Sequence, residues 1–251
     1  FSYFSSSDAV TNRLTAGRIR IDLLEPNYAG NGSSQTKLLV PNQPVPKDPK
    51  VVNTGEIDVV VFMELKVPAA ASLITVDDEG KNKEIDYEAE VFELFQNDVL
   101  VNGAEKIPTT SENGQWLLLN KTDFTVTNGG THGQITYLYG WTEILIPEEK
   151  SNDINDGVGI GNSPETTGSV TAPLFDKTKL KNIISSSFTE TQDIIINTYA
   201  IQAREVAVHD GQNDILDKEK LTEIWENYFT NGDTVLKEAS YSNKYSIPYS
   251  Q

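Results

Sequence analysis

The sequence predicts a mainly β protein, a β-sandwich with a few short helices in loops and near the C-terminus. Apolar and polar residues alternate with a period of two in several segments, and β-branched residues dominate the longest apolar runs. Clusters of Gly, Pro and Asn separate these segments. A chain of 251 residues, 37% of them hydrophobic, can form one such domain, because sandwiches often reach this size as a single unit. We therefore expect one sandwich domain over residues 17–251, with inserted loops.

The first fifty residues combine one clear strand with a proline-rich stretch. Apolar residues at positions 19, 21 and 23 alternate with arginine or aspartate at 18, 20 and 22, which predicts a strand with one buried face. Residues 27–36 have the composition of a loop. Prolines at positions 41, 44, 46 and 49 cannot donate hydrogen bonds to a ladder, so this stretch predicts turns or an edge strand.

The next residues predict the centre of a sheet and one ambiguous element. A tight turn is expected at residues 53–55, and residues 57–67 alternate as a long core strand. An acidic turn follows at 77–80. One face of a short helix fits the spacing of Tyr87, Val91, Leu94 and Phe95. Residues 91–95 fit a strand equally well, because periodicity does not separate the two states in short apolar runs.

The rest of the chain predicts a hairpin, a loop, a buried strand and a helix. Strand patterns at 116–119 and 137–146 bracket the glycine-rich residues 128–133, the expected hairpin tip. Residues 150–169 have the composition of a surface loop. The β-branched run 193–201 predicts a central buried strand. Residues 218–229 predict a helix with Asp217 as N-cap and a stop at 231–232, and its apolar face comprises Leu221, Ile224, Trp225 and Tyr228.

Three blocks, in this order, resemble one family of secreted Gram-positive proteins. They are Tyr3-Phe-Ser-Ser with Thr11-Asn and Leu14-Thr-Ala-Gly; Pro41-Asn-Gln, Lys47-Asp-Pro and Val51-Val-Asn-Thr-Gly; and Ala172-Pro-Leu-Phe-Asp with the run 192–202. The combination is similar to the TasA/camelysin family, whose members are processed by a SipW-type signal peptidase and build extracellular matrix fibres. Asn42 replaces the family's usual glycine, and residues 59–63 replace its Tyr-Val-Arg strand ending.

This resemblance implies a jelly-roll-like sandwich and a structural, non-catalytic role in the extracellular matrix or at the cell surface. It implies a homopolymer in which a terminal strand completes the neighbouring subunit's jelly-roll, and head-to-tail repetition makes a filament. Other matrix or cell-surface components are further candidate partners. The sequence begins at Phe1 without an initiator methionine, and its lone methionine, Met63, lies in a strand pattern. We therefore expect that a secretory leader has been removed.

Charge and cysteine content exclude several classes of protein. The chain has 20 Lys and Arg against 37 Asp and Glu, a formal net charge of −17 at pH 7. This negative field repels phosphate backbones and anionic lipids, so we expect no nucleic acid partner. No apolar run reaches about 18 residues, so we expect no membrane insertion. Because the sequence has no cysteine, thiol catalysis and zinc-thiolate sites are excluded.

The sequence contains no motif for catalysis, cofactor binding or metal ligation, and we predict none of these. Its two histidines, His132 and His209, lack the His-Glu-x-x-His spacing of zinc proteases, and no Gly-x-Ser-x-Gly elbow is present. In residues 152–157 an EF-hand register would place Ile154 at a ligand position, which breaks the calcium pattern. A camelysin-type metallo-endopeptidase is the alternative enzyme, and a protease assay with metal add-back distinguishes it.

Residues 1–16, which precede the first firm strand, are the candidate assembly element. This extended segment is the part of the chain most free to leave the domain, and such a segment can add a strand to another subunit's sheet. The candidate donor-strand residues are Phe1, Tyr3, Phe4, Ala9, Val10 and Leu14. A disordered tail, or a strand paired within its own domain, is the structural alternative. A monomeric surface adhesin or carbohydrate-binding sandwich is the functional alternative, for which an exposed aromatic such as Tyr139 or Trp141 would be expected at a loop tip. Both residues lie in a strand pattern, which favours a core position instead.

Overall fold

The computed structural model describes residues 19–24, 37–38, 41–77, 79–107, 114–128, 132–148, 168–186, 192–206, 216–229 and 239–246. Its strands are β1 (Ile21–Leu24), β2 (Lys37–Leu38), β3 (Pro44–Pro46), β4 (Lys50–Asn53), β5 (Val59–Val76), β6 (Lys83–Glu90), β7 (Phe92–Gln96), β8 (Val99–Leu100), β9 (Trp116–Lys121), β10 (Thr125–Asn128), β11 (His132–Trp141), β12 (Lys177–Leu180), β13 (Ile183–Ser186), β14 (Gln192–Gln202) and β15 (Ala239–Ser246). Its helices are α1 (Ala203–Val206) and α2 (Lys218–Tyr228). The predicted mainly β class is confirmed, and the described strand pairs are antiparallel except β15 with β2.

Strand β5 organises the largest sheet, which has nine described strands. Lys66 pairs with Thr136 of β11 on one edge and with Ile195 of β14 on the other. Farther along, Ala69 is still paired with β11 on the first edge and pairs with Glu90 of β6 on the second. Strands β14 and β6 therefore follow one another along the same side of β5. Strand β13 continues the β11 side.

Pro68 lies inside β5, where proline is unusual because it cannot donate a ladder hydrogen bond. The neighbouring strand changes at this point, since the last pair with β14 is at Lys66 and the first pair with β6 is at Ala69. The Pro68 carbonyl instead accepts a hydrogen bond from Val91 N at 2.9 Å. The proline therefore occupies the gap between two partner strands, and β5 can continue for 18 residues.

A four-stranded sheet, in the order β3-β12-β7-β8, forms the second layer of the sandwich. Its buried residues Phe92, Leu94 and Leu180 share one hydrophobic core with Met63 and Tyr139 of the large sheet. Residues of the β1–β4 pair belong to the same core. Strand β3, which contains two prolines, lies at the sheet edge, as its proline content predicted.

Helix α2 begins where the sequence predicts and ends one residue earlier. Asp217 is the N-cap, and its Oδ1 accepts a hydrogen bond from Lys220 N at 2.8 Å. This bond satisfies one of the backbone N–H groups that a helix start leaves unpaired. The helix ends at Tyr228, with Phe229 as C-cap, and the predicted stop at 231–232 lies outside the described residues.

The apolar face of α2 covers the outer face of the large sheet. Leu221 and Ile224 are buried in a second core that includes Phe62 of β5. The Trp225 ring lies 5.3 Å from the Phe62 ring and 5.0 Å from the Tyr199 ring, measured between centroids. Because β5 is covered on both faces here, residues 59–63 are all buried, and the alternation predicted for residues 57–67 is present only from Glu64 to Val67.

The segment from Tyr87 to Phe95 is not helical, so the helical interpretation is wrong and the strand alternative is correct. Tyr87 lies in β6 of the large sheet and is exposed, whereas Leu94 lies in β7 of the four-stranded sheet and is buried. The chain crosses between the two sheets at Val91. The helical spacing arises because this crossing places residues of two strands in one short stretch of sequence.

The other predicted elements agree with the structure in kind. The predicted strand 57–67 begins at Val59, as the first part of β5. Strand 193–201 is part of β14, and the hairpin is formed by β9 and β10 pairing with β11. The predicted strand 137–146 ends earlier, at Trp141. In the turn at 53–55, buried Asn53 accepts from Gly55 N at 3.0 Å and donates to Leu145 O at 2.9 Å. Within the described ranges, no helix combines the length and apolar composition needed to cross a membrane.

Candidate functional site

Strand β6 has a described neighbour on only one of its two sides. It pairs with β5 from Lys83, opposite Val76, to Glu90, opposite Ala69, and no other described strand pairs with it. Its eight residues extend about 26 Å, and a strand at a sheet edge presents a row of unpaired backbone N–H and C=O groups. We call this outer side of Lys83–Glu90 the β6 edge. Its backbone groups are available to an added strand.

Two large apolar side chains of β6 lie in solvent. Residues opposite one another on antiparallel strands share a face of the sheet, so Asp86, opposite buried Leu73, lies on the core side. Ile85 and Tyr87 lie on the outer face and are 56% and 74% exposed. This inverts the usual pattern of a half-buried strand. An apolar surface next to free backbone groups is what a partner strand covers when it joins a sheet.

Carboxylates alternate with these apolar residues along β6. Glu84, Asp86 and Glu88 have no ion-pair partner among the described residues. The backbone of Glu88 has a positive φ of 49°, which interrupts the regular strand conformation. Inward-pointing charges and local irregularities are devices by which proteins prevent indiscriminate edge pairing. The β6 edge therefore combines unpaired backbone groups with carboxylates and a backbone irregularity that disfavour indiscriminate pairing.

Other edges of the described strands are shorter or partly covered. Strand β8 ends the four-stranded sheet, but it has two residues, Val99 and Leu100, which are 48% and 46% exposed. Strand β10 has four residues and exposes Val126 at 49%. The outer edge of β15 is already paired with β2 at two positions. The β6 edge is thus the longest that no described strand covers.

A buried carboxylate anchors the end of β6. Glu90 accepts hydrogen bonds from the Tyr137 hydroxyl and from the Asn102 side-chain amide. Asn102 also donates to Phe92 O at 3.0 Å and accepts from Leu94 N at 2.7 Å. These bonds connect β6 to β11 and to the loop that follows β8. They hold the ends of two open strands, β6 and β8, at one corner of the sandwich.

The tyrosines near Glu90 remain protonated at physiological pH. Burial raises the pKa of Tyr137 above its usual range, and the charge of Glu90 and the hydrogen bond to it raise this pKa further. Burial and Glu90 also raise the pKa of Tyr139. Phenols of this kind are poor proton donors in a reaction. We conclude that this cluster serves to position β6.

Glu143, after β11, has a pKa near neutrality. Loss of hydration raises the pKa of its carboxyl from 4.5 to about 7. A carboxyl tuned in this way is a candidate general acid or base, but a catalytic site also needs a second group within hydrogen-bond distance. Among the described residues none forms a hydrogen bond or ion pair with this carboxyl. Glu143 is therefore a pH-sensitive group without a described reaction partner.

The predicted acidic turn at 77–80 is held by its own backbone and neighbours. Asp77 accepts hydrogen bonds from Lys81 N at 2.8 Å and from Asn82 Nδ2 at 2.6 Å. The hydrogen bond from Lys81 N is the main cause of the lowered pKa of Asp77. The turn closes the hairpin between β5 and β6, and so it fixes where the β6 edge begins.

The predicted assembly residues are not among those that the structure describes. The donor-strand residues Phe1, Tyr3, Phe4, Ala9, Val10 and Leu14 lie outside the described residues, as do His209 and residues 152–157. The division at residue 16 stays a prediction for the same reason. His132 begins β11, but its side chain is not described. In the part of the chain that is described, no three His, Asp or Glu side chains form a group able to hold a metal ion.

The two aromatic residues considered for an adhesin are not exposed. Tyr139 is fully buried and Trp141 is 2% exposed, and both belong to the main core. Their rings contribute to packing because β11 is paired on both edges, by β5 and β9. Their expected core position is therefore confirmed, and the adhesin alternative stays a prediction that these two residues do not support.

The open edge of β6 and the buried carboxylate of Glu90 were not predicted from the sequence. The alternation of carboxylates with Ile85 and Tyr87 was visible in the sequence, and it is the signal that could have identified a strand with an apolar face. That this face points to solvent depends on the register of β6 with β5, which the sequence alone does not supply. No protein-family model matches the chain, and no curated protein or solved structure matches it significantly.

Proposed function

We propose that the protein is a non-catalytic structural subunit of an extracellular biofilm matrix fibre. In this proposal the subunits assemble head to tail, and the segment at residues 1–16 of one subunit adds a strand to a sheet of the next. The blocks that resemble the TasA/camelysin family suggest the role. The mainly β fold supplies sheets to which a strand can be added.

The observation that carries the proposal is the open β6 edge. It offers eight residues of backbone next to exposed Ile85 and Tyr87, whereas most other large apolar side chains of the described residues are buried. Strand addition uses such a surface, since backbone hydrogen bonds supply affinity and pockets between alternate side chains supply specificity. A donor and an acceptor on different surfaces make a heterologous contact, which forms open fibres when its rotation does not close a ring.

Deletion of residues 1–12 tests the proposal. All described core residues lie at Ile19 or beyond it, so we expect the shortened chain to fold. It should remain monomeric under conditions in which the full chain forms filaments visible by negative-stain electron microscopy. Circular dichroism of both proteins is the control for folding. Filaments of unchanged number and length from the shortened chain would rule out strand donation by this segment.

A further inference from the structure

We infer that the β6 edge is the acceptor surface for residues 1–14 of a second copy of the chain. The inference rests on the proposed function, because it identifies the sheet edge that the donated segment joins. For this assignment the edge must be long enough for the segment, must expose apolar surface, and must carry charges that disfavour other occupants.

Length and exposure favour the β6 edge over its competitors. Each residue of an added strand pairs along about 3.3 Å, so β6 accommodates about eight donor residues. Strands β8 and β10 accommodate two and four. The side chain of Tyr87 is 74% exposed and that of Ile85 is 56% exposed, the two largest exposures among the large apolar residues of the described chain. A strand at this edge would therefore bury more apolar surface than one at β8 or β10.

Charge disfavours pairing of β6 with β6 of another copy. Such a symmetric antiparallel pair would bring the Glu84, Asp86 and Glu88 carboxylates of one copy close to those of the other. Like charges on directly opposed strands are destabilising, and no described basic side chain forms an ion pair with these three carboxylates. The edge therefore requires an occupant with few carboxylates.

Residues 1–14 meet this requirement. Residues 1–7 contain no charged side chain, and residues 8–14 contain one acid, Asp8, and one base, Arg13. This is a low acid content for a chain with a net charge of −17. Phe1, Tyr3 and Phe4 supply the aromatic surface that Ile85 and Tyr87 can contact. Eighteen residues precede the first described residue, Ile19, and can reach at most about 60 Å, enough to extend to another subunit.

Disulfide trapping tests the inference directly, since the natural chain has no cysteine to interfere. One preparation carries a single cysteine at each of positions 3–10 in turn, and a second carries Tyr87→Cys or Ile85→Cys. When the two preparations are mixed and oxidised under assembly conditions, at least one pair of cysteine positions should give a cross-linked dimer on a non-reducing gel. The matched control is Val126→Cys, which places a cysteine at a similarly exposed apolar position on a different edge. Cross-linking that is equal at position 126, or that favours Leu100→Cys, would overturn the assignment.

Neutralising the edge tests the selection by charge. The variant Glu84→Gln/Asp86→Asn/Glu88→Gln should lower the critical concentration for assembly at low salt by about tenfold. The control variant Glu105→Gln/Asp123→Asn/Glu219→Gln removes the same formal charge from three other exposed positions. It should change the critical concentration much less. Equal effects of the two variants would mean that net charge, and not the β6 edge, governs docking.

The two experiments separate failure of the acceptor assignment from failure of the proposed function. Filaments from the natural chain without any cross-link to position 85 or 87 would overturn the assignment and leave strand donation intact at another edge. If the natural chain forms no filaments and no position gives an intermolecular cross-link, both proposals are wrong. A cross-link at position 85 or 87 that disappears when the singly substituted copies are incubated separately supports both.

Discussion

Glu90 is a charged residue at 8% exposure, and its position depends on the donors around it. The carboxylate accepts hydrogen bonds from Tyr137 and Asn102, which replace the water it loses on burial. A buried carboxylate that is deprived of one donor keeps its desolvation cost without the compensating bond. The stability of the corner between β6 and β8 should therefore be sensitive to Tyr137.

We expect Tyr137→Phe to destabilise the protein by about 2 kcal/mol, because it leaves the Glu90 carboxylate with one fewer donor. Urea denaturation followed by tryptophan fluorescence measures this free energy of unfolding. Tyr139→Phe is the matched control, since the Tyr139 hydroxyl donates only to the neutral carbonyl of Val101, at 3.1 Å. The control should cost about 1 kcal/mol. A loss in Tyr137→Phe no larger than in the control would contradict a role for the Glu90 hydrogen bond.

Glu143 should make stability depend on pH. Its pKa is about 7 in the folded state against an ordinary value of 4.5, so between these values the folded state binds more protons than the unfolded state. Stability therefore falls as the pH rises through this window. Glu143→Gln should stabilise the protein by about 1 kcal/mol at pH 8, a value reduced for solvent screening of the partly exposed group, and have little effect at pH 4.5. Thermal melts at the two pH values test this, and equal shifts at both would contradict it.

The burial of two charged residues was not predicted from the sequence. Lys47 is fully buried and Asp48 is 4% exposed, although both occur in a proline-rich stretch that read as turns or an edge. Many solvated residues occur in the same kind of sequence context. The presence of a charge therefore does not indicate whether a side chain is buried. Asn53 is different, since its Asn-Thr-Gly context predicted the turn that its side chain does close. A turn closed by a local hydrogen bond has a recognisable sequence motif, whereas burial by residues distant in the chain does not.

At the scale of single elements, α2 depends on its cap. Asp217→Ala removes the acceptor for Lys220 N and should destabilise the protein by about 1 kcal/mol. Asp217→Asn retains a capping oxygen and serves as the control, with a loss of a few tenths of a kcal/mol at most. Chemical denaturation of the three proteins measures the difference. Identical stability of the alanine and asparagine variants would show that the cap contributes nothing measurable.

The contrast between α2 and β6 explains which elements the sequence predicts. The helix carries its signals within twelve residues: an N-cap, an apolar face at helical spacing, and no proline. Strand β6 has no comparable group of local sequence signals. Its conformation and its exposed face follow from pairing with β5 and from the sheet change at Val91. Strand edges, and hence the candidate assembly site, depend on partners distant in sequence and were not predictable from β6 alone.

At the scale of the whole molecule, the net charge of −17 opposes the approach of identical subunits. We expect added salt, divalent cations or mild acid to promote assembly, because each screens or neutralises carboxylates at the junctions. The screening length falls from about 30 Å at 0.01 M salt to about 10 Å at 0.1 M, so the effect should be large over this range. Light scattering across a salt and pH series measures it, with the chain lacking residues 1–12 as control. Scattering that does not respond to ionic strength or pH would contradict this expectation.

The position of β5 also constrains how the molecule can reach its native state. One side of β5 is completed by β14, and Glu64 and Asn197, joined across these strands, are 133 positions apart in the chain. Pairings this distant in sequence require slow loop closure, and proteins dominated by them typically fold in milliseconds to seconds. While β14 is still being synthesised, the apolar run 59–63 lacks its β14 partner on that side. Truncation before Gln192 would therefore produce an aggregating species rather than a smaller stable domain.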